Sequence, residues 1–442
     1  MFRKISILLI GLLAVMQLHA QSVKKLTIKE AIDLGVANSK QLVVSNAKIK
    51  EAQARVAQSR DKLLPEVGVS ANYFHINTPN ISFSNNSSSS GSGGNSDSPL
   101  AALANMHDIA LVQASASWPV FNGFRNKNTR IMNEYLEQAS RYDAQTTKSE
   151  VTVTTATAIY QYYELLETKR TVEENLKQEQ QRVTEFKNME AQKLLARNDR
   201  LKAELQASNV ELALTDVNHD VQLAEYNLIV LLGLPDQTTI ELDTTGMFNL
   251  AGLTTWEEYL QAGLSNRNEL KSVDAQVKAG EANYKIAKAN RLPTVALTAG
   301  YVNAFIPNVV NITNALNGGV ALKYSITGAL HASHGMQEAR AKVEQAEASR
   351  QATNDQVRID IRQKYLNCQK SLDKLTITQK AIEQAEENFQ ISQNKYKQGL
   401  LILSDYLEAD VALLQARINY ATTRAETMIA YYELQKSTGT LQ

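Results

Sequence analysis

The chain has 442 residues, enough for two or three ordinary domains, and 46 basic and 46 acidic residues give it a formal net charge of zero. No basic face stands out, which argues against nucleic acid as a partner. The single cysteine, Cys368, excludes an intramolecular disulfide. Glycine and proline are scarce, at 19 and 7 residues, and this composition favours long helices.

The first residues, "MFRKISILLIGLLAVMQLHAQS", have the pattern of a secretory signal peptide. Arg3 and Lys4 precede an apolar run over residues 5–18, and Ala20 precedes Gln21. The run is too short to be a reliable membrane span. We therefore expect a signal peptide over residues 1–20. No later stretch of 18 apolar residues occurs, so the mature chain is expected to lack a membrane-spanning helix.

Four short segments alternate apolar and polar residues with a period of two, which predicts β-strands. Each is close to the roughly 9–11 residues that a tilted strand needs to cross an outer membrane. They span residues 67–75, 109–120, 294–302 and 320–327. A Ser/Asn/Gly-rich segment, residues 77–99, separates the first two, and we expect it to be a mobile loop. The matching segment, residues 303–319, is expected to be a shorter and more apolar loop.

Long stretches without glycine or proline predict unusually long helices. Two of them are expected at about residues 124–190 and 332–396, each followed by a shorter helix. A helix of about 65 residues is roughly 100 Å long, which suggests coiled-coil packing. Apolar residues recur at steps of seven along the second long helix, at Ile361, Cys368, Leu375, Ile382 and Phe389. Cys368 is therefore expected to be buried in a helix seam.

The two halves of the chain resemble each other. The sequence "LTIKEAIDLGVANSKQL" (26–42) is similar to "LTTWEEYLQAGLSNRNEL" (253–270), and "LLPEVGVSANY" (63–73) is similar to "RLPTVALTAGY" (291–301). The similarity predicts two repeats, residues 21–235 and 236–442. Each repeat is expected to run helix, strand, strand, long helix, shorter helix.

Four strands are too few to span a membrane alone. Every backbone polar group must be paired in lipid, so spanning strands must close into a barrel. Barrels made by one chain begin at about eight strands. If the strands span a membrane, several copies must therefore share one barrel, and three copies would supply 12 strands.

The duplicated plan carries a family resemblance. Four short sequences accompany the duplicated order of elements: the "LLP" and "RLP" junctions, the "LLGLP" (231–235) that ends the first half, and "YKQGLLILSDYLEA" (396–409). Together, these features resemble those of the TolC family of outer-membrane efflux and type I secretion channels. The resemblance implies a mainly α protein with a small β part. It further implies a trimer that forms a 12-stranded outer-membrane β-barrel continued by a long periplasmic α-helical barrel.

The resemblance also implies a function and partners. The chain would form a homotrimeric duct that passively conducts drugs, small molecules or proteins to the exterior. It would meet a periplasmic adaptor and an inner-membrane transporter of the RND, ABC or MFS type, and its strands would contact outer-membrane lipid. No cofactor and no metal is implied.

Site residues follow from the same resemblance. Gly399 matches the turn at the periplasmic tip of a helical hairpin, and glycine gives the backbone freedom to reverse there. Asp405 and Glu408 match two pore-facing acidic positions, which threefold symmetry would turn into carboxylate rings. Tyr396 and Asp199 match a tyrosine and an aspartate that latch neighbouring hairpins.

The chain departs from the family pattern at both tips. Leu401 stands where the family often has an arginine, so that salt-bridge latch is absent. Lys193 stands where the first hairpin usually has glycine, so we expect that turn to be built differently. The leucines at the tips are expected to close the duct or to contact an adaptor; they are Leu194, Leu195, Leu400 and Leu401. Trp118 and Tyr324 are expected at the membrane interface.

Other readings remain open from the residues themselves. Asp405 and Glu408 could equally be ordinary charged residues on a solvated helix face, with no role in a pore. His331 and His334 in "HASH" lack a third ligand, which makes a metal site weakly supported. No catalytic motif points to an enzyme. A periplasmic coiled-coil adaptor without a channel is the alternative function, and it would not need paired, duplicated strands.

Overall fold

The computed structural model describes residues 23–77, 108–250, 252–307 and 310–441. The expected signal peptide, residues 1–20, and residues 78–99 of the expected Ser/Asn/Gly loop lie outside the described residues. The elements in chain order are β1 (Val23–Leu26), α1 (Ile28–Asn38), α2 (Lys40–Asp61), β2 (Glu66–His75), β3 (Asp108–Phe121), α3 (Arg125–Ala191), α4 (Arg197–Leu232), β4 (Thr239–Leu242), α5 (Trp256–Asn266), α6 (Asn268–Ala289), β5 (Thr294–Ile306), β6 (Val310–Lys323), α7 (Ile326–Lys397) and α8 (Leu403–Ser437). The protein is therefore mainly helical with a small β part.

The chain divides into two compact units. Among the residues that the structure describes, those within 1–47, 141–271 and 351–442 form the first unit, and those within 48–140 and 272–350 form the second. Each unit takes segments from both sequence-similar halves of the chain. The compact unit and the sequence repeat are thus different divisions of this protein.

The second unit contains a four-stranded antiparallel sheet with the strand order β2-β3-β5-β6. Three of the four expected strands lie within β2, β3 and β5, and β5 continues four residues further than the expected end at residue 302. The expected loop over residues 303–319 is wrong, because β5 and β6 form a hairpin there. Strand β6 contains Asn311, Asn314, Asn317 and two glycines. These residue types are depleted in strands, so the composition of this segment did not predict one.

The expected strand at residues 320–327 is wrong beyond Lys323, because α7 begins at Ile326. Ser325 caps the start of this helix. Its Oγ accepts a hydrogen bond from the Gly328 N–H at 3.1 Å, and its carbonyl accepts one from the Ala329 N–H at 2.9 Å. A serine that binds the first helical N–H groups in this way starts a helix. The period-two alternation of apolar and polar residues does not indicate this helix cap.

The first unit is built on long helices and a two-stranded parallel sheet. In that sheet β1 pairs with β4, from Val23 opposite Thr239 to Leu26 opposite Leu242. Its largest apolar cluster surrounds Tyr160, whose hydroxyl donates to the Met247 carbonyl at 2.5 Å. A second cluster lies beside the two helix–helix turns, and its buried members are Phe186, Ala203, Phe389, Leu403, Tyr406 and Leu413.

The two halves of the chain repeat several local structures in this unit. Thr27 caps α1 and Thr255 caps α5, and each side chain accepts a hydrogen bond from the N–H of a glutamate three residues later. Gly233 and Gly439 both have left-handed backbones, with φ of 65° and 66°. Gly233 lies against Asn38 at the end of α1, and Gly439 lies against Asn266 at the end of α5.

Cys368 is fully buried in a cluster with Ala430 and Leu434, which agrees with the expected seam position. Burial raises the pKa of its thiol to about 11. Among the helices that the structure describes, none combines the length and the apolar character needed to cross a membrane.

Candidate functional site

The four-stranded sheet has one apolar face. Directly paired residues of antiparallel strands lie on the same face, so the register identifies its members. One row joins Trp118, Leu297 and Val320, and the rows beside it carry further large apolar residues. Those that are exposed are Val67, Val69, Tyr73, Val112, Phe305, Leu316 and Leu322. A water-exposed surface of this kind is typical of strands that contact lipid or a partner.

The opposite face of the sheet carries small and polar residues over most of its length, and large apolar residues toward the margin where β2 ends and β3 begins. These apolar residues are Phe74, Ile109, Leu111 and Val302. One row joins Gly68, Ser115, Gly300 and Asn317. The neighbouring rows add Ser70, Asn72, Gln113, Ser117 and Thr298. This division into an apolar and a polar face is the pattern of strands that separate lipid from a water-filled interior.

The two aromatic residues expected at a membrane interface lie at the same margin of the sheet. Trp118 is near the end of β3, and its indole N–H donates to the Leu63 carbonyl at 3.0 Å. Tyr324 follows the last residue of β6 and is exposed. The polar group of Trp118 therefore bonds back to the segment that follows α2, while the ring remains on the apolar face.

In the first unit, two turns each join a long helix to a shorter one. In the turn between α3 and α4, Leu194 N–H donates to the Met189 carbonyl at 2.8 Å and Lys193 N–H to the Glu190 carbonyl at 2.9 Å. In the turn between α7 and α8, Leu400 N–H donates to the Lys395 carbonyl at 2.9 Å and Gly399 N–H to the Tyr396 carbonyl at 3.0 Å. Both are the same nested pair of helix-ending hydrogen bonds.

The expectation that Lys193 forces a different turn is therefore wrong. Lys193 adopts φ of 63°, close to the 71° of Gly399. A lysine in this conformation costs about 1–2 kcal/mol. Arg200 connects the two helices across the turn, because its guanidinium pairs with Glu190 on α3 and, at 2.6 Å, with Glu204 on α4. Ion pairs that bracket the turn thus accompany the strained residue.

The leucines at the two turns fall into two kinds. Leu194 and Leu400 are 67% and 71% exposed. Leu195 and Leu401 instead pack against the apolar cluster beside the turns. Ile402 is also exposed, and the sequence analysis missed it. The exposed apolar surface of the turns consists of one leucine from the first turn, and of Leu400 and Ile402 from the second.

Asp405 and Glu408 lie in the first turns of α8, and both are exposed. Their spacing of three residues places them on one face of the helix. Asp405 also lies at the helix N-terminus, where the backbone dipole favours a negative charge. The structure therefore brings these two carboxylates together on an accessible surface.

Tyr396 packs within its own chain. Its ring stacks on Tyr406 with a centroid distance of 5.2 Å and lies 6.1 Å from the ring of Phe186. Burial raises the pKa of Tyr396, and the nearby Asp199 carboxylate raises it further. Asp199 itself pairs with Lys202 at 3.4 Å. The tyrosine and the aspartate thus lie near each other in a single chain.

A buried ionic group next to this stack was missed in the sequence. Arg182 on α3 donates to Glu179 at 2.6 Å and reaches across to Asp410 on α8 at 2.8 Å. It also donates to the Tyr406 hydroxyl at 3.2 Å, and its guanidinium lies 4.6 Å from the centre of that ring. The group therefore connects α3 directly to α8.

One sequence signal marks this group. Ala158, Leu165, Val172, Glu179 and Phe186 are separated by steps of seven, so Glu179 occupies a seam position that otherwise carries apolar residues. A carboxylate at such a position needs a buried partner. The sequence could have flagged Glu179, but not the identity of Arg182 and Asp410 as its neighbours.

The two histidines of "HASH" were weak candidates for a metal site. His331 and His334 are exposed near the start of α7. Within the described part of the chain, no group of three or more His, Cys, Asp or Glu side chains is arranged to hold a metal ion.

Comparison with known proteins defines the class. The sequence profile of the family described as outer membrane efflux protein matches residues 31–234 and 259–440. The chain therefore belongs to the outer membrane efflux protein family, which confirms the resemblance found in the sequence. It is an outer-membrane efflux channel protein, and the paired strands argue against a channel-free adaptor.

Individual relatives are similar over nearly the whole chain. The pyoverdine export outer membrane protein OpmQ of Pseudomonas putida is 24% identical over 417 residues, which are 93% of this chain and 85% of the relative. The structure of VceC from Vibrio cholerae has a TM-score of 0.74 at 19% identity and covers 93% of this chain and 96% of its own. That of the Campylobacter jejuni CmeC outer membrane channel has a TM-score of 0.76 at 15% identity, with 94% and 86% covered. The solved structures share the fold.

Proposed function

We propose that three copies of this chain assemble into one outer-membrane duct. The observation that carries the proposal is the sheet with one apolar face, one polar face and, in the described part of the chain, β2 and β6 as its outer strands. Lipid does not tolerate unpaired strand edges, so each outer strand must pair with a neighbouring copy. Three copies supply 12 strands, with the apolar face toward lipid and the polar face toward the lumen.

The helices of the three copies form the periplasmic part of the duct. Transport through it is passive, and an inner-membrane transporter of the RND, ABC or MFS type supplies the energy. A periplasmic adaptor joins the two and contacts the exposed apolar residues of the hairpin turns, Leu194, Leu400 and Ile402. The cargo consists of drugs, other small molecules or proteins. The chain carries out no catalysis of its own.

The hairpin turns supply the gate of this duct. Asp405 and Glu408 are exposed on one helix face, so threefold symmetry turns them into two carboxylate rings. Tyr396 and Asp199 help to hold neighbouring hairpins together. The two halves, residues 21–235 and 236–442, are duplicated repeats, which is supported by their matching helix caps and left-handed glycines.

Disulfide crosslinking tests the assembly. In a Cys368→Ala background, Val69→Cys on β2 is combined with Val320→Cys or Leu322→Cys on β6. If β2 of one copy pairs with β6 of the next, oxidation of outer-membrane extracts produces dimers and trimers on a denaturing gel. Val69→Cys with Ala114→Cys is the matched control, because these positions are paired within one chain and should crosslink without an increase in mass. A monomeric native mass with no intermolecular crosslink would overturn the proposal.

A further inference from the structure

Three ionisable side chains form a nearly dry group between α3 and α8. The side chains of Glu179, Arg182 and Asp410 are 0%, 7% and 3% exposed. Two carboxylates share one guanidinium, so the group carries a net charge of −1 if all three are ionised. An uncompensated buried charge is strongly unfavourable. One bound proton would bring the group to neutrality.

The group and its neighbour Asn175 also contain buried hydrogen-bond acceptors that receive no donor from the described residues. Glu179 Oε2 and Asn175 Oδ1 are both buried acceptors with no hydrogen-bond partner among the described residues. Asn175 lies four residues before Glu179, so the two side chains share one face of α3. A proton on Glu179 Oε2 would convert one of the two acceptors into a donor. Buried acceptors without a donor are costly, and a single proton improves the balance.

Side chains from α8, α7 and the start of α4 surround this group. On α8, Asp410 accepts from Asn175 at 3.4 Å, and Tyr406 accepts from Arg182. From α7, Gln393 donates to the Tyr406 hydroxyl at 3.2 Å, and Tyr396 stacks on the Tyr406 ring. From the start of α4, Asp199 faces Tyr396.

A small cavity lies beside the group. Its volume is about 10 Å³, which is about the size of one water molecule, and its lining includes Asn175, Asp410 and Arg417. Arg417 pairs with Glu386 on α7 at 2.9 Å. Asn175 and Asp410 border a space that can hold one water molecule.

We propose that Glu179 and Asp410 form a proton-binding site that holds one proton and thereby locks α3 to α8. Burial raises the pKa of Glu179 to about 8, and the neighbouring Asp410 carboxyl contributes to the rise. The proton therefore stays on the group at neutral pH. The site itself stands on the geometry of one chain, whereas its bearing on the gate rests on the proposed function.

The bound proton should hold α3 and α8 together more strongly at low pH. A carboxyl whose pKa is raised by folding adds stability that is fully present below its unfolded value of 4.5 and is lost as the pH rises through about 8. Asp410 lies seven residues beyond Leu403, the first residue of α8, which is roughly 10 Å along the helix. In the proposed duct, alkaline pH would therefore loosen α8 just beyond the hairpin turn.

Infrared spectroscopy tests the proton directly. Purified full-length protein in detergent is titrated from pH 5 to pH 9.5, and the C=O band of a protonated carboxyl is followed. The wild type should show this band at pH 7 and lose it near pH 8. Glu179→Gln and Asp410→Asn should each abolish it, because either change leaves one carboxylate for Arg182. Glu185→Gln, an exposed position on the same helix, should leave it intact.

Unfolding provides the second readout. The denaturant midpoint of the wild type should fall between pH 5 and pH 8.5, and the fall should be smaller in Glu179→Gln but unchanged in Glu185→Gln. No protonated-carboxyl band at pH 7 in the folded wild type would overturn the proposal. So would a pH dependence that is the same in all three proteins. Neither result depends on conductance, so failure of the duct proposal is recognised separately, by the crosslinking test.

Discussion

Lys193 and Gly399 occupy the same position in the two helix–helix turns and share a left-handed backbone, with φ of 63° and 71°. The two turns also make the same nested pair of hydrogen bonds. A lysine pays a steric cost at this position that glycine does not. The first turn is therefore the more strained of the two.

Lys193→Gly should stabilise the protein by about 0.5–1 kcal/mol, because relief of the left-handed strain exceeds the added flexibility of the unfolded chain. Gly399→Ala should destabilise it by about 1 kcal/mol through backbone strain alone, since a Cβ at Gly399 meets nothing within 4 Å. Denaturant unfolding in detergent measures both. Gly252→Ala is the matched control, because it also adds a Cβ in open space but has no left-handed backbone.

Close packing makes Gly263 sensitive to the smallest side chain. A Cβ there would collide with Cδ1 of the fully buried Ile361. Gly263→Ala should therefore destabilise the protein by about 1–3 kcal/mol. Adding Ile361→Val removes Cδ1 and should recover part of that loss beyond what Ile361→Val costs alone. Strictly additive effects of the two changes would show that this contact is not the cause.

The Arg267 ion pairs should make the protein sensitive to acid. Arg267 binds Glu269 at 3.0 Å and Asp360 at 2.5 Å. Burial works against ionisation of Glu269, but the hydrogen bond and charge of Arg267 outweigh it, so the pKa of Glu269 is lowered from 4.5. The stability from this pair is present above pH 4.5 and lost as the pH falls through the lowered value.

Arg267→Ala should lower the free energy of unfolding by about 2 kcal/mol near pH 7, as expected for charged hydrogen bonds. The difference from the wild type should shrink below pH 4. Unfolding curves at pH 7 and pH 3.5 measure it. Arg340→Ala, which removes an exposed pair with Glu344, should change stability little at either pH. A deficit that stays constant with pH would assign the effect to lost packing.

The proposed carboxylate rings should set ion selectivity. In planar bilayers, Asp405→Asn/Glu408→Gln should reduce cation selectivity several-fold while the protein remains folded, because the exposed charges face the lumen in the proposed gate. Glu185→Gln serves as the control for loss of an exposed carboxylate elsewhere. Unchanged selectivity in a conducting double variant would place the gate at other residues.

Several features of this fold could be predicted because their signals are local. Alternation with period two marked β2, β3 and β5, and the absence of glycine and proline marked α3 and most of α7. The steps of seven placed Cys368 in a seam, where it is buried. The similar halves and the hairpin sequence around Gly399 pointed to the family that the whole-chain comparison confirms.

The wrong expectations share a cause: each depended on contacts that sequence patterns do not contain. Strand β6 carries asparagines and glycines, and pairing with β5 stabilises it despite its composition. Residues 324–327 alternate like a strand, but Ser325 caps a helix there. Lys193 adopts a conformation typical of glycine, accompanied by ion pairs from Arg200 across the turn.

By itself, the sequence determined the long helices and the positions of Asp405 and Glu408 on one helix face, because helix periodicity depends only on neighbours along the chain. The expected order of elements was incomplete, since two helices rather than one precede the paired strands in each half. The tertiary structure decided which of the tip leucines are exposed and that Glu179, Arg182 and Asp410 meet. Arg182 and Asp410 are separated by 228 residues, and only the packing of α3 against α8 removes water from them and makes their charges matter.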